Sequence, residues 1–142
     1  MYRTIAMFAI VATLSGCMTK PPRPDQLRTP PADRLLAHQN ASDGDATVIV
    51  TRDAGASGSA CYIAFFVDGK VAAKLASAER ATFHLSTGDH VLGAWNTGTG
   101  LCGYREGEDR REVAVSLKPG ETRRFRILIG DGGLSLAPTT ID

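Results

Sequence analysis

The stretch Arg111-Glu112-Val113-Ala114-Val115-Ser116-Leu117-Lys118-Pro119-Gly120-Glu121-Thr122-Arg123-Arg124-Phe125-Arg126-Ile127-Leu128-Ile129 holds two alternating runs split by a turn. Val113, Val115 and Leu117 share one side of the first run, and Phe125, Ile127 and Ile129 one side of the second. This period of two marks half-buried strands. Lys118-Pro119-Gly120-Glu121 places Pro where φ is fixed and Gly where a type II turn needs positive φ. Arg124 and Arg126 make the far face of the second run half-solvated. Working outward, the same punctuation predicts strands at Ala46–Asp53, Cys61–Asp68, Val71–Leu75, Ala81–Leu85, His90–Trp95, Arg111–Leu117, Thr122–Ile129 and Leu134–Pro138. Short strands with no helix among them predict an all-β antiparallel sandwich or barrel. Asp68-Gly69-Lys70 and Thr87-Gly88-Asp89 read as tight hairpins.

The 142 residues are 43% hydrophobic, 22% charged and 6% aromatic, which excludes a disordered chain, a collagen repeat and a many-spanning membrane protein. The apolar residues are unevenly spread. Setting aside residues 1–16 removes only Arg3 among the charges and leaves 15 basic against 15 acidic residues. A neutral domain carries no footprint for nucleic acid.

Met1-Tyr2-Arg3 followed by the apolar run Thr4–Thr13 reads as a secretory signal, too short for a permanent bilayer span. Leu14-Ser15-Gly16-Cys17 then resembles the lipobox of bacterial lipoproteins: an apolar residue three before the Cys, two small residues, and the thiol. The resemblance implies cleavage before Cys17, a diacylglyceryl thioether on its sulfur, and acylation of the new amino group. Acyl chains in that number give stable attachment without a transmembrane helix. Met18 stands where Asp favours inner-membrane retention in enteric bacteria, so the family rule points to an outer-membrane lipoprotein facing the periplasm. No cofactor is expected beyond the covalent lipid (palmitate) on Cys17.

Residues 18–33 hold five of the seven prolines, Pro21, Pro22, Pro24, Pro30 and Pro31, and read as a semi-rigid tether. At about 3.1 Å per residue, residues 18–31 would hold a domain roughly 40 Å off the lipid. Thr29 to Asn40 suggests a short helix of about two turns that lays Leu35 and Leu36 on the domain. The chain thus divides into a signal peptide (1–16), a lipidated N-terminus with Pro-rich tether and short helix (17–45), and a β-sandwich domain (46–142).

Val67-Asp68-Gly69-Lys70-Val71 and Phe83-His84-Leu85-Ser86-Thr87-Gly88-Asp89-His90-Val91-Leu92 resemble the repeat of small envelope β-sandwich modules of the PEGA and transthyretin-like groups. Thr51-Arg52-Asp53 with Cys61, the Asp-Gly-Lys turn, and Gly100-Leu101-Cys102-Gly103 resemble a family of small uncharacterised proteobacterial lipoproteins, over roughly residues 30–140. These likenesses imply a transthyretin/Ig-like sandwich and an envelope location. They donate no catalytic residue.

With Cys17 assigned to lipid, Cys61 and Cys102 remain in an oxidising compartment, and a disulfide between them is expected. It would pin the loop 96–110 to the sheet. The cysteine-nucleophile reading, with His84 or His90 as base, needs an unpaired thiol and an orienting group. No metal site is expected, because Cys61, Cys102, His84 and His90 lack close-paired ligand spacing. Asp43-Gly44-Asp45 and Asp131-Gly132-Gly133 lack the oxygen ladder of a calcium loop and read as turns.

Asn96-Thr97-Gly98-Thr99-Gly100-Leu101-Cys102-Gly103 is Gly-rich but lacks the Lys and hydroxyl residue of a phosphate loop. Long loops on rigid sandwiches are the usual place for binding, which makes Trp95, Asn96, Tyr104 and Arg105 the candidate recognition residues. His84 and His90 are expected to face each other across a hairpin. Glu106-Gly107-Glu108-Asp109-Arg110-Arg111-Glu112 reads as a solvated run of mixed charge. Arg123, Arg124 and Arg126 form a candidate basic cluster, able to meet an acidic glycan, peptidoglycan carboxylates or lipid headgroups. Arg52 and Lys74 are placed as edge charges that discourage pairing between copies. The expected function is a non-catalytic binding or assembly module, anchored to the membrane through its lipid, with an envelope protein or peptidoglycan as partner and no nucleic acid. The alternatives are an inhibitor of a hydrolase or toxin, and an accessory lipoprotein of an envelope secretion complex.

Overall fold

The computed structural model describes residues 18–98, 102 and 110–142. Two four-stranded sheets face each other. Strands β1 (Ala46–Arg52), β4 (Arg80–Leu85), β7 (Thr122–Gly130) and β8 (Gly133–Pro138) form one in the order β4-β1-β7-β8. Strands β2 (Ile63–Val67), β3 (Lys70–Leu75), β5 (Gly88–Asn96) and β6 (Arg111–Leu117) form the other in the order β3-β2-β5-β6. The eight strands match the predicted set, with their ends shifted by no more than two residues. Alternation fills the space between the sheets: Val48, Val50, Ile63, Phe65, Phe83, Leu92, Phe125 and Ile127 are all buried in one core. Phe65 and Phe83 meet across it with ring centroids 4.7 Å apart.

The turns are legible, but their partners are not. Asp68 and Gly69 take φ of 48° and 80° between paired Val67 and Lys70, the two-residue hairpin expected of Asp-Gly. Gly120 takes φ 68° and the Glu121 N–H donates to the Lys118 carbonyl at 3.1 Å. Yet that turn links β6 of one sheet to β7 of the other, so the two runs around it do not pair. Thr87-Gly88-Asp89 is likewise not a hairpin, since β4 and β5 belong to opposite sheets. The sandwich is also not wholly antiparallel. β1 and β7 run parallel, with Val50 opposite Phe125 and Arg52 opposite Ile127.

The largest departure from expectation is the Pro-rich segment. It does not stand free as a spacer but lies against the sandwich. The Thr19 N–H donates to the Ile129 carbonyl at 3.0 Å, and Lys20 and Ala54 exchange two bonds of 2.8 Å. Farther along, Arg28 pairs beside β4, with Arg80 N–H donating to its carbonyl at 2.9 Å. Leu36 and Ala37 then donate to the Ala72 carbonyl on β3, while His84 N–H on β4 donates to the His38 carbonyl. β4 and β3 are the edge strands of their sheets on this side, so the segment covers both edges and closes the seam. Covering an edge removes a template for pairing between chains.

The expected two-turn helix is a single 3-10 turn, Ala32–Arg34. The backbone leaves helical geometry at Leu35, φ −101° and ψ 100°, because the N–H groups that would continue a helix are claimed by Ala72. Leu35 packs on the core as expected, whereas Leu36 is 52% exposed. Arg34 locks the turn in place. Its guanidinium grips the Glu79 carboxylate with two bonds of 2.6 and 2.7 Å and also donates to the Lys74 carbonyl.

Candidate functional site

β1 ends in Thr51-Arg52-Asp53, and these residues organise one end of the sandwich. Arg52 is not an edge charge. It is 2% exposed at the end of a central strand, and its guanidinium donates to the carbonyls of Cys61, Leu75 and Gly58. Burial pushes its pKa down to about 10, which leaves it charged at neutral pH. Three carbonyls, two from the β1–β2 connection and one from the end of β3, are thereby tied to one cation, which fixes the loop that delivers Cys61. Asp53, also buried, accepts two bonds from Arg126, at 2.9 and 2.5 Å, and one from the Thr19 hydroxyl at 3.5 Å. Lys74, by contrast, does project from an edge strand as expected.

Cys61 and Cys102 are joined by a disulfide spanning 41 positions. The bond ties the segment that leaves β5 to the start of β2. Asn96 and Trp95 lie at the end of β5, Trp95 on the sheet face away from the core. There Trp95 stacks against Phe66, ring centroids 4.6 Å apart, and the Arg110 guanidinium sits 4.1 Å from the Phe66 centroid and 4.9 Å from that of Trp95. Gly93 makes this possible, because a Cβ there would fall 1.8 Å from the Phe66 ring. Asn96 is used structurally: its side-chain oxygen accepts from Gly98 N–H at 3.1 Å. Tyr62, 48% exposed, lies beside this face with Arg34 stacked 4.6 Å over its ring. Sequence reasoning passed over Tyr62 and Phe66 and read Arg110 as part of a solvated run of mixed charge, whereas it lies over the two rings. A run of five buried β2 residues, too apolar for a strand with one wet face, was the available signal. Tyr104 and Arg105 lie outside the described residues, as do Cys17, the expected lipidation residue, and the expected signal peptide (1–16).

Strand alternation separates Arg123 from Arg124 and Arg126, and each of the three arginines expected to form a basic cluster is paired with its own carboxylate. Arg123 lies on the Phe125 side and bonds Glu121 at 3.2 Å. Arg124 and Arg126 lie on the outer side and bond Asp142 at 2.6 Å and Asp53 at 2.5 Å. An open depression of ≈ 760 Å³ runs past Arg123, Arg124 and Pro138 to Ile141. Both arginines that line it are ion-paired, Arg123 with Glu121 and Arg124 with Asp142.

His84 and His90 do not face each other; they sit on different sheets. His90 instead joins Asp68 and Ser86. Its Nδ1 is 2.7 Å from Asp68 Oδ2, and its Nε2 is 2.9 Å from the Ser86 carbonyl and 3.4 Å from Ser86 Oγ. Carboxylate, imidazole and hydroxyl thus stand in the order of a catalytic triad, a convergence the sequence spacing did not reveal. The shorter Nε2 contact is to a carbonyl, which only accepts, and Nδ1 faces a carboxylate, so this geometry favours the doubly protonated form of the ring. Burial works against this charged ring, but the bonds to Asp68 and Ser86 outweigh it and raise the His90 pKa. Asp68 is likewise opposed by burial, yet its bonds to His90 and Val91 N–H lower its pKa. In its doubly protonated form the ring has no lone pair with which to deprotonate Ser86. The trio ties the β4–β5 corner to the β2–β3 turn.

Among the described residues no three His, Cys, Asp or Glu side chains cluster as metal ligands, and no helix is long and apolar enough to cross a membrane. No family model matches the chain, and neither a curated protein nor a solved structure matches it.

Proposed function

We propose that the protein is a lipid-anchored bacterial envelope lipoprotein, a non-catalytic binding or assembly module that faces the periplasm from the outer membrane. The observation that carries this reading is the division of the three cysteines. Cys61 and Cys102 are consumed in a disulfide, which suits an oxidising compartment. The remaining cysteine is the one in Leu14-Ser15-Gly16-Cys17, positioned for acylation. A transthyretin/Ig-like kinship of the sandwich is part of the same proposal, supported by the turn motifs that resemble those modules.

The surface proposed for recognition is the outer face of the β3-β2-β5-β6 sheet at Trp95, with Tyr62 beside it and Asn96 at the adjoining end of β5; Tyr104 and Arg105, in the segment that follows β5 in the chain, are proposed from the sequence alone. Aromatic rings and an arginine held over them are the residue types that anchor protein interfaces. Metabolic palmitate labelling tests the anchor: incorporation that disappears in Cys17→Ser supports it, and a Cys17→Ser protein that fractionates unchanged defeats it. Affinity purification from detergent-solubilised envelopes sorts the partner. Peptidoglycan or a resident envelope protein fits the module, a single foreign hydrolase fits an inhibitor, and a stable multi-subunit complex fits an accessory lipoprotein of a secretion apparatus.

A further inference from the structure

The bonds that fasten the first residues of the N-terminal segment lie at one end of the sandwich. Thr19 bonds Ile129 through both backbone and hydroxyl, Lys20 bonds Ala54, and Met18 lies beside Gly130. The same end carries the β7–β8 turn, the Arg52 carbonyl clamp and the Cys61–Cys102 disulfide. Gly58, Ile63, Asn96, Ile129 and Gly133 line one shallow hollow there, which places the ends of both sheets together. The opposite end holds the turns at Asp68-Gly69, Ser86-Thr87 and Lys118–Glu121. Cys17 precedes Met18 directly, and consecutive Cα atoms are about 3.8 Å apart. No free spacer therefore intervenes between an acylated Cys17 and the first residues clasped to the domain.

Resting on the lipoprotein reading, we propose that the anchored protein lies with its Thr19–Gly130 end directly on the lipid surface. The Asp68, Ser86 and Lys118 turns then point away from it. The occupant of the Thr19–Gly130 end is a lipid headgroup layer, argued from the covalent adjacency of the acylation residue and from Met18, 55% exposed beside it. The near-neutral charge of the domain fits attachment by acyl chains instead of by anionic lipid. The two segment ends at Asn96 and Arg111, which flank the proposed recognition residues, open on the membrane side. A partner for them would accordingly be met at the bilayer surface, and a partner deeper in the periplasm would meet the distal turns.

The test is energy transfer from a donor on the full-length protein to an acceptor dye on phosphatidylethanolamine headgroups in phosphatidylcholine vesicles. A non-natural amino acid carries the donor at Gly132, where a side chain meets nothing within 4 Å, or at the exposed Lys118. β7 spans nine residues between these turns, roughly 30 Å at about 3.3 Å per residue. Transfer is expected to be several-fold stronger from position 132 than from 118. A twelve-residue Gly-Ser insertion between Met18 and Thr19 is expected to lower transfer at 132 and remove the difference. Equal transfer from both positions in acylated protein overturns the orientation alone. Absence of acyl chains in the mass of the N-terminal peptide overturns both the orientation and the lipoprotein reading.

Discussion

Thr19 and Ile129 hold each other by a reciprocal pair of bonds: the Thr19 N–H donates to the Ile129 carbonyl at 3.0 Å, and the Ile129 N–H donates to the Thr19 hydroxyl oxygen at 2.8 Å. The two residues are 110 positions apart, and the pair converts a proline-rich arm into part of the fold. Thr19→Val removes the hydroxyl and leaves the Ile129 N–H without its acceptor. A loss of about 1 kcal/mol is expected, with faster amide exchange at residues 19 and 20. Hydrogen exchange read by mass spectrometry checks it; unchanged exchange at those amides would show that the arm is held from elsewhere.

Asp53 is buried against Arg126, so removing one partner strands the other. Asp53→Ala should destabilise the domain by roughly 3–5 kcal/mol, whereas replacing both residues with apolar ones should recover part of the loss. Urea unfolding of the two variants gives the comparison, and an Asp53→Ala midpoint within error of the parent would refute the assignment.

The disulfide closes a long loop in the unfolded chain. Cys61→Ser with Cys102→Ser is expected to cost about 4 kcal/mol on the chain-entropy model for a loop of this length. Denaturant titration with and without reductant checks the size. Mass spectrometry of unreduced protein should find no alkylatable thiol at either position.

The Asp68–His90 pair makes stability depend on pH with a definite sign. The folded pKa of His90 is raised, so its stabilisation is full below the unfolded value of about 6.5 and is lost as pH rises through the folded one. The folded pKa of Asp68 is lowered, so its stabilisation is present above about 3.9 and is lost on acidification through the folded value. These are two readings of one interaction, strongest between those limits. Asp68 is half exposed, so the amplitude stays below about 1 kcal/mol. His90→Gln should flatten the thermal unfolding midpoint between pH 6 and 8; a parent curve already flat there would contradict the charged imidazole.

Gly93→Ala would drive a methyl into the Phe66 ring, with the built Cβ only 1.8 Å from Cζ. The expected result is a loss of roughly 1–3 kcal/mol from overpacking and a shifted Trp95 fluorescence maximum, since Phe66 supports the indole. Retention of both the parental midpoint and the emission maximum would remove Phe66 from its place under Trp95.

Alternation and turn chemistry are properties of neighbouring residues, and so the sequence by itself determined the eight strands, the Asp68-Gly69 hairpin and the Lys118–Glu121 turn. The apolar signal and Leu14-Ser15-Gly16-Cys17 are local too, and the expected lipid site rests on them alone. Partnership is not local. Whether β6 pairs with β7 across the Lys118–Glu121 turn depends on which sheet offers each strand a free edge, and β7 found its place beside β1. The same cause misled the reading of the arginines, which look like one patch in the chain: alternation sets Arg123 apart from Arg124 and Arg126, and Glu121, Asp142 and Asp53 pair with them one by one. It also hid the meeting of Asp68, Ser86 and His90. The proline-rich arm shows the point most clearly. Its composition fixes an extended backbone with few internal bonds, as a spacer requires, but its remaining N–H and carbonyl groups still need partners. Only the tertiary structure, by leaving the edges of β3 and β4 open beside it, decided that those partners belong to the sandwich.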